Sequence, residues 1–201
     1  MDLLTEHRNR VRACSLCFPT GGNAPVVDLP KCTGILLVAQ APGSTEVVTH
    51  LPFTGPAGER LMCWFERAVL SREDVYLSAV CRCFPGKAKG GAHGGDLPPS
   101  RTMIRNCRPH LLREFELLQP KVVVPAGGLA IKELLRVTRL SEAVGETFER
   151  GGITYVPLPH PSGASTWLNA PENKERLARA LAALREQAAA PSEPENGSFS
   201  I

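Results

Sequence analysis

The sequence is poor in aromatic residues, in net charge and in long apolar segments. Phe, Trp and Tyr make up 5% of its 201 residues, and the formal net charge is +3. No apolar run reaches the about 18 residues that a membrane-spanning helix needs, so we expect no membrane span. The N-terminal residues lack the basic and then apolar order of a secretory signal, which predicts a cytoplasmic protein. A mildly basic chain is compatible with a nucleic-acid partner but does not require one.

Common nucleotide-binding motifs and internal repeats are also absent. Neither G-x-G-x-x-G after a predicted strand nor G-K-[ST] occurs, which argues against a nucleotide-binding enzyme. With 43% apolar residues the chain can bury a core, which excludes wholesale disorder. We predict one domain over residues 1–187 and an unordered tail over 188–201. The glycine-rich segment 87–95 is also predicted to be unordered, because ordering glycine costs much backbone entropy.

Cysteine, in contrast, is abundant. The seven cysteines are an odd number in a chain without an export signal, so disulfides are not expected. Buried thiols, a metal or cluster site, and a catalytic nucleophile all remain open. Cys14 and Cys17 form a C-x-x-C pair that can grip one metal ion or one corner of a cluster, and distant cysteines such as Cys83 and Cys107 can complete four ligands. The other cysteines are Cys32, Cys63 and Cys81, and the last two are expected in the core.

Short apolar runs alternate with helical patterns along the chain. The runs have the character of strands buried on both faces and cover 35–39, 75–80, 122–124 and 153–156. Helices are predicted from Pro56 with Leu61, Phe65, Val69 and Leu70 on one face, over 101–118 with a kink or restart at Pro109, over 128–135, and from Pro171. This alternation predicts an α/β fold with helices on both faces of a parallel sheet.

Ligands of such folds bind beyond the carboxyl ends of the strands, so the loops there should carry the chemistry. The loop after the first predicted strand is rich in glycine and proline, which is also compatible with an ordinary connection. In the loop after the fourth strand, three prolines surround His160 and stiffen the backbone. A histidine held in this way is a candidate donor to an anion, although an isolated loop histidine is usually idle.

Five sequence segments, in this order, resemble the iron–sulfur uracil-DNA glycosylases of family 4. They are Gln40-Ala41-Pro42-Gly43, Glu46, Pro52-Phe53-Thr54-Gly55-Pro56-Ala57-Gly58, Arg82-Cys83-Phe84-Pro85 and His160-Pro161-Ser162. The resemblance covers roughly residues 10–187. It implies a three-layer α/β/α sandwich around a four-stranded parallel sheet. It also implies a structural [4Fe–4S] cluster, and the matching cysteines are Cys14, Cys17, Cys83 and Cys107, with Cys81 as an alternative to Cys83.

The resemblance further implies roles for the pocket residues. His160 matches the histidine that hydrogen-bonds the uracil oxygen, and Phe53 matches the aromatic residue that stacks on the extruded base. Glu46 matches an acid of the first motif, whereas Gln40 stands where the family usually has another acid. Both are catalytic candidates beside His160. The remaining predicted substrate contacts are Ala41, Gly43, Ser78, Ala79, Ser162 and Ala164.

Two of these positions depart from the family pattern. Ala79, beside Ser78, stands where the family has an asparagine that reads the uracil edge, and neither side chain supplies the paired donor and acceptor of an amide. Ala164 stands at the place of a bulky wedge, for which Trp167 or Leu168 could substitute. A path for DNA phosphates is predicted from basic residues around the cluster cysteines, namely Arg82, Lys87, Lys89, Arg101, Arg105 and Arg108.

The function implied by the resemblance is base excision repair of DNA. We expect a monomeric, monofunctional glycosylase that flips out a deaminated base, most simply uracil, and hydrolyses its N-glycosidic bond. Two alternatives stay open. One is a glycosylase of altered base choice, acting on hypoxanthine or xanthine, because the asparagine is missing. The other is a non-catalytic iron–sulfur protein that binds DNA.

Overall fold

The computed structural model describes residues 2–88, 95–162 and 166–189, which form an α/β/α sandwich around one five-stranded sheet. The strands are β1 Ile35–Ala39, β2 Val75–Ala79, β3 Val122–Pro125, β4 Phe148–Arg150 and β5 Ile153–Tyr155. Their order is β2-β1-β3-β5-β4. All four predicted strands are present and lie parallel to one another.

The predicted four-stranded sheet needs one correction, because β4 adds a fifth strand at the edge. This strand pairs antiparallel with β5. It has only three residues, and Glu149 and Arg150 are exposed. A short, half-polar edge strand lacks the continuous apolar run from which the other strands were predicted.

Seven helices surround the sheet in the part of the chain that the structure describes. They are α1 Leu3–Arg12, α2 Ser44–Thr49, α3 Pro56–Arg67, α4 Arg101–Leu118, α5 Gly128–Leu135, α6 Leu140–Ala143 and α7 Pro171–Ala189. Two short 3-10 turns cover Arg72–Asp74 and Trp167–Asn169. None of the described helices combines the length and apolarity that crossing a bilayer requires.

The side chains of β1 alternate between two apolar cores, one on each face of the sheet. Leu37 faces a core that includes Leu61 of α3 and Leu181 of α7. Leu36 faces the second core, which includes Leu111 of α4. All five strand residues of β1 are buried, as expected for a central strand covered by helices on both faces.

Some helix predictions were wrong in detail. Helix α4 runs unbroken past Pro109, so the helix does not restart there. Val69 lies beyond the end of α3, has a left-handed backbone (φ 58°) and is exposed, so it does not belong to the buried face. Helix α7 begins at Pro171 as predicted and runs to Ala189. Residues 190–201 and 89–94, where unordered segments were predicted, lie outside the described residues.

Helix α1 was not predicted from the sequence, and the cysteine pair follows it directly. Asp2 begins it as a side-chain cap, with Oδ1 accepting a hydrogen bond of 2.8 Å from the Thr5 amide. Its buried residues include Leu4 and Val11, and the helix packs against α4. The contact places the turn after α1, with Cys14 and Cys17, beside the first half of α4.

Candidate active site

A cavity of about 570 Å³ opens at the carboxyl edge of the sheet. Its walls come from the loops after β1 and β2, from the start of α5 and from the loop that contains His160. Gln40, Glu46, Phe53 and His160, from two distant parts of the sequence, all line this one cavity. It also contains Ala41, Gly43, Ser78, Ala79 and Ser162. Ala164, the remaining predicted substrate contact, lies outside the described residues.

His160 is held in one orientation by backbone on two sides. Its Nδ1 accepts a hydrogen bond of 3.2 Å from the Ser162 amide, which leaves the proton of the neutral ring on Nε2. Burial lowers the pKa of His160, and the charge of Asp96 partly opposes this shift. The ring also packs on Gly127 (φ 92°), where a Cβ would lie 3.1 Å from the His160 Cδ2. The site therefore contains a neutral, fixed imidazole with one N–H available.

Glu46 joins the two glycine-rich turns of the cavity wall. Its Oε2 accepts a hydrogen bond from the Gly43 amide and its Oε1 accepts one from the Gly55 amide, both at 3.0 Å. These amides precede α2 and α3, and the carboxylate is buried. A carboxylate that accepts such bonds satisfies amide groups that the helix starts leave free. Glu46 thus holds the shape of the wall.

Phe53 has an unusual backbone conformation and is braced by a glycine. Its φ is 57°, a region that a bulky residue adopts only when its surroundings impose it. Gly58, in the first turn of α3, lies so close that a Cβ would be 1.8 Å from the Phe53 carbonyl oxygen. The absence of a side chain at Gly58 therefore allows the conformation that places Phe53 at the cavity.

Replacing Gly58 by alanine is expected to displace Phe53 and weaken base binding. The added Cβ meets main-chain atoms, which cannot rotate away as a side chain can. Overpacking of this kind costs about 1–3 kcal/mol. The unfolding temperature and the dissociation constant for a target-base oligonucleotide measure the effect. Gly34→Ala, where the added Cβ meets nothing within 4 Å, is the control, and equal behaviour of the two variants would contradict the prediction.

Ser78 does not contribute its hydroxyl to the cavity. The hydroxyl donates a hydrogen bond of 2.7 Å to the carboxylate of Glu114, which is fully buried on the other face of the sheet. The adjacent Ala79 reaches the cavity with a methyl group only. Neither residue provides the donor and acceptor pair of an amide at the position where the family has asparagine.

The loop that contains His160 is tied to α3. Arg60 Nη1 donates a hydrogen bond of 3.1 Å to the Ser162 carbonyl oxygen. The two residues considered as substitutes for a wedge, Trp167 and Leu168, are partly buried and pack against the first core.

The predicted cluster cysteines approach one another from three chain segments. Cys14 and Cys17 follow α1, Cys83 follows β2, and Cys107 lies in α4. Burial, and then the charges of Cys107, Cys17 and Cys14, raise the pKa of Cys83 to about 12. Asn106 Nδ2 donates to Cys17 Sγ at 3.7 Å, and the Arg82 amide donates to Cys107 Sγ at 3.4 Å. The four thiols form one neighbourhood.

The other cysteines are distributed differently from the prediction. Cys81 is buried, as expected, and its thiol hydrogen-bonds that of Cys107. Cys63 is exposed on α3, so its assignment to the core was wrong; its side chain lies on the outer side of the helix. Cys32 is also exposed. Among the described residues, no group of three or more His, Cys, Asp or Glu side chains is arranged to hold a metal ion.

One of the basic residues that were predicted to contact DNA phosphates, Arg82, is buried. Arg82 is 2% exposed and forms an ion pair with buried Glu114, so it cannot contact DNA. Its neighbours on α4 remain available, since Arg101, Arg105 and Arg108 are exposed. Lys87 is half exposed and pairs with Asp96 at 3.4 Å, whereas Lys89 lies outside the described residues.

Sequence reasoning missed three residues that shape this site: Asp96, Gly127 and Glu114. Asp96 directly follows the glycine-rich segment 87–95 that was predicted to be unordered, and it lines the cavity. Gly127 follows a predicted strand, and its place at a carboxyl end was the signal that could have found it. Glu114 lies in an amphipathic helix, where a lone acid is normally exposed.

The described residues thus form an α/β sandwich with one cavity at the carboxyl edge of the sheet, and this cavity is lined by a fixed histidine and by a phenylalanine packed against a glycine. The family model described as "Uracil DNA glycosylase superfamily" matches residues 28–185, and the chain belongs to this superfamily.

Relatives with a more specific name align over most of the chain. A Type-4 uracil-DNA glycosylase of Archaeoglobus fulgidus is 29% identical over 171 residues, which is 81% of each protein. A Type-4 uracil-DNA glycosylase of Thermotoga maritima is 27% identical over 165 residues, again 81% of each. A third, from Pyrobaculum aerophilum, is 28% identical over 114 residues, covering 56% of this chain and 54% of that protein.

Proposed function

We propose that this chain is a monofunctional DNA glycosylase that removes uracil from DNA and leaves an abasic site. The observation that carries the proposal is that His160 and Phe53 line one cavity at the carboxyl edge of the sheet. A cavity of about 570 Å³ is large enough for a flipped nucleotide. Membership of the superfamily and the names of the aligned relatives support the same reaction.

The chemistry follows from charge development in the reaction. When the N-glycosidic bond breaks, negative charge accumulates on the departing base. The Nε2–H of a neutral His160 donates to the oxygen on which this charge accumulates, and the rigid loop spares reorganisation during the reaction. Phe53 stacks on the base, a contact worth about 1–3 kcal/mol that offsets part of the cost of unstacking. Glu46 acts by holding the cavity wall in place.

A panel of modified oligonucleotides tests the proposal. The protein is incubated with single- and double-stranded DNA containing uracil, hypoxanthine or xanthine, and abasic sites are then cleaved with alkali. Release of uracil in excess of the other bases supports the proposal. No release from any substrate, with DNA binding retained, would instead indicate a non-catalytic DNA-binding protein. Sedimentation with and without DNA tests the expected monomer.

A glycosylase of altered base choice is the second candidate. It is favoured by Ala79 and by the hydroxyl of Ser78, which is engaged with Glu114 and not directed to a base. A cavity that stacks and polarises without reading the uracil edge discriminates less between deaminated bases. In the same panel, hypoxanthine or xanthine release at or above the uracil rate would select this candidate.

We further propose that Cys14, Cys17, Cys83 and Cys107 hold a [4Fe–4S] cluster. The mutual influence of the four thiols supports this assignment, because the charges of Cys107, Cys17 and Cys14 all act on the pKa of Cys83. The buried charge of Arg82, whose Nε and Nη1 have no partner, fits a site in which the negative charge of the thiolates and sulfides exceeds the positive charge of the iron. When bound, the cluster would join three chain segments.

Replacing Cys83 by alanine is expected to remove most of the iron and to lower the unfolding temperature. Ligand loss removes binding free energy that also stabilises the fold, and each 1 kcal/mol corresponds to roughly 2–4 °C for a chain of this size. Iron content and visible absorbance after anaerobic purification measure the first effect, and calorimetry the second. Exposed Cys63→Ala is the matched control. One zinc per chain and no iron in the wild type would contradict the assignment.

A further inference from the structure

Asp96 lines the cavity and lies in one of two short backbone segments that pair antiparallel. This pairing was not predicted from the sequence. The Leu97 amide donates to the Gly86 carbonyl at 2.8 Å, and Lys87 and Asp96 face each other as an antiparallel bridge. These contacts join residues 86–88 to residues 95–97, and both Lys87 and Asp96 line the cavity. The pairing therefore brings a carboxylate to the site.

This carboxylate lies over Gly43, beside Glu46. Asp96 Oδ2 is 3.1 Å and Glu46 Oε2 is 3.0 Å from the point that a Cβ on Gly43 would occupy. The two acids therefore flank one glycine of the cavity wall. They differ in their partners, because Glu46 accepts two buried amide bonds whereas Asp96 pairs with half-exposed Lys87 at 3.4 Å. An exposed ion pair exchanges readily with water, so Asp96 has the freer oxygens.

Hydrolysis of the N-glycosidic bond requires a carboxylate with free oxygens near the sugar. Cleavage leaves cationic character on the sugar, and the attacking water must lose a proton. Gln40, at the position of the family's usual acid, carries an amide, which has no basic oxygen to take up a proton. We propose that Asp96 supplies the catalytic carboxylate of this site, by stabilising the sugar cation and by holding and deprotonating the attacking water. The inference rests on the proposed glycosylase function.

The step balances without any added reagent. The bond between C1′ and the base breaks, and its electron pair leaves with the base, which His160 stabilises as an anion. The oxygen of water bonds to C1′, and the proton that it loses passes to the Asp96 carboxylate and then to solvent. The base anion takes up one proton from solvent. The products are the free base and an abasic site.

Single-turnover kinetics of Asp96→Asn test the assignment. With the base that the wild-type protein releases fastest, the variant is expected to be about 10²-fold slower, the lower range for loss of a general base. Affinity for uncleaved DNA and the unfolding temperature should be unchanged. Adding Gln40→Glu to Asp96→Asn should restore much of the rate, because it returns a carboxylate to the same cavity. Glu116→Gln, which removes an exposed, ion-paired acid from α4, is the matched control and should keep the wild-type rate.

The outcomes separate this inference from the proposed function. A wild-type protein that releases no base overturns the glycosylase proposal and this inference with it. A wild-type protein that releases base, together with an Asp96→Asn rate within twofold of it, overturns only the role of Asp96. A slower Asp96→Asn protein with equally weakened DNA binding also overturns that role, since it indicates loss of structure or substrate binding.

Discussion

Replacing His160 by alanine is expected to slow base release by about 10²–10³-fold, which is the usual cost of removing one preorganised donor to a developing anion. The Ser162 amide and the Gly127 backbone fix the ring before substrate arrives, so its N–H needs no reorganisation. Enzyme-excess kinetics on the preferred oligonucleotide, with alkaline cleavage of the product, measure the rate. DNA binding should change little, because the interaction strengthens only as the bond breaks.

His50→Asn is the matched control for this variant. His50 is exposed at the end of α2 with φ 57°, a conformation that asparagine tolerates. The His50→Asn variant should therefore release the base at the wild-type rate. A wild-type rate for His160→Ala would remove His160 from the mechanism. A parallel loss in both variants would show that the change is not specific to the cavity.

The pH dependence of the rate should reflect the neutral form of His160. Burial lowers its pKa below the ordinary 6.5, and protonation would place a proton on Nδ1, where the Ser162 amide donates. The rate should therefore be level near neutral pH and fall only as pH drops through that lowered pKa. The part of this acidic limb that reflects the imidazole should disappear in His160→Ala. A rate that rises on acidification through this range would indicate that the imidazolium is the active form.

Replacing Glu114 by alanine is expected to destabilise the fold by about 3–5 kcal/mol, the cost of leaving a buried charge without its partner. Glu114 is fully buried; burial raises its pKa, while the charge of Arg82 and hydrogen bonds from Ser78, Tyr76 and Arg82 oppose this. Without it, the guanidinium of Arg82 would lose its ion pair in addition to the two nitrogens that already lack a partner. The unfolding temperature should fall by roughly 10 °C.

The double variant Arg82→Met/Glu114→Met separates charge from packing. Replacing both partners of a buried ion pair by apolar residues of similar size is often nearly neutral, so much of the lost stability should return. Glu116→Gln, which breaks an exposed ion pair on the same helix, should cost less than about 1 kcal/mol. A single variant Glu114→Ala that unfolds at the wild-type temperature would contradict the importance of the buried pair.

The central strands could be predicted because their signal is local. The runs at 35–39 and 122–124 are continuously apolar, and both strands are buried on both faces as predicted. The edge strand Phe148–Arg150 escaped prediction because two of its three residues face water. Helix α1 escaped because only one stripe of it is buried, and that stripe depends on contact with α4.

Some residues of the site could be predicted from the sequence and others could not, and the difference has a physical cause. His160 and Phe53 could be named because prolines and glycines mark their loops in the sequence. The hydroxyl of Ser78 could not be assigned, because its partner Glu114 lies 36 residues away in another layer of the fold. Arg82 was expected at the DNA surface for the same reason, since a basic residue is normally exposed unless a distant acid pairs with it.

The amino-acid sequence alone determined three features: the order of the apolar strands, the spacing of the cysteines and the rigid loop around His160. Each of them depends only on residues that are neighbours in the sequence. Tertiary structure alone decided which polar groups face the cavity and which are buried in pairs. Asp96 and Glu114 illustrate the difference, since one acid reaches the cavity and the other neutralises a buried arginine. A carboxylate takes its role from the charges and donors around it, and these come together only when distant segments pack.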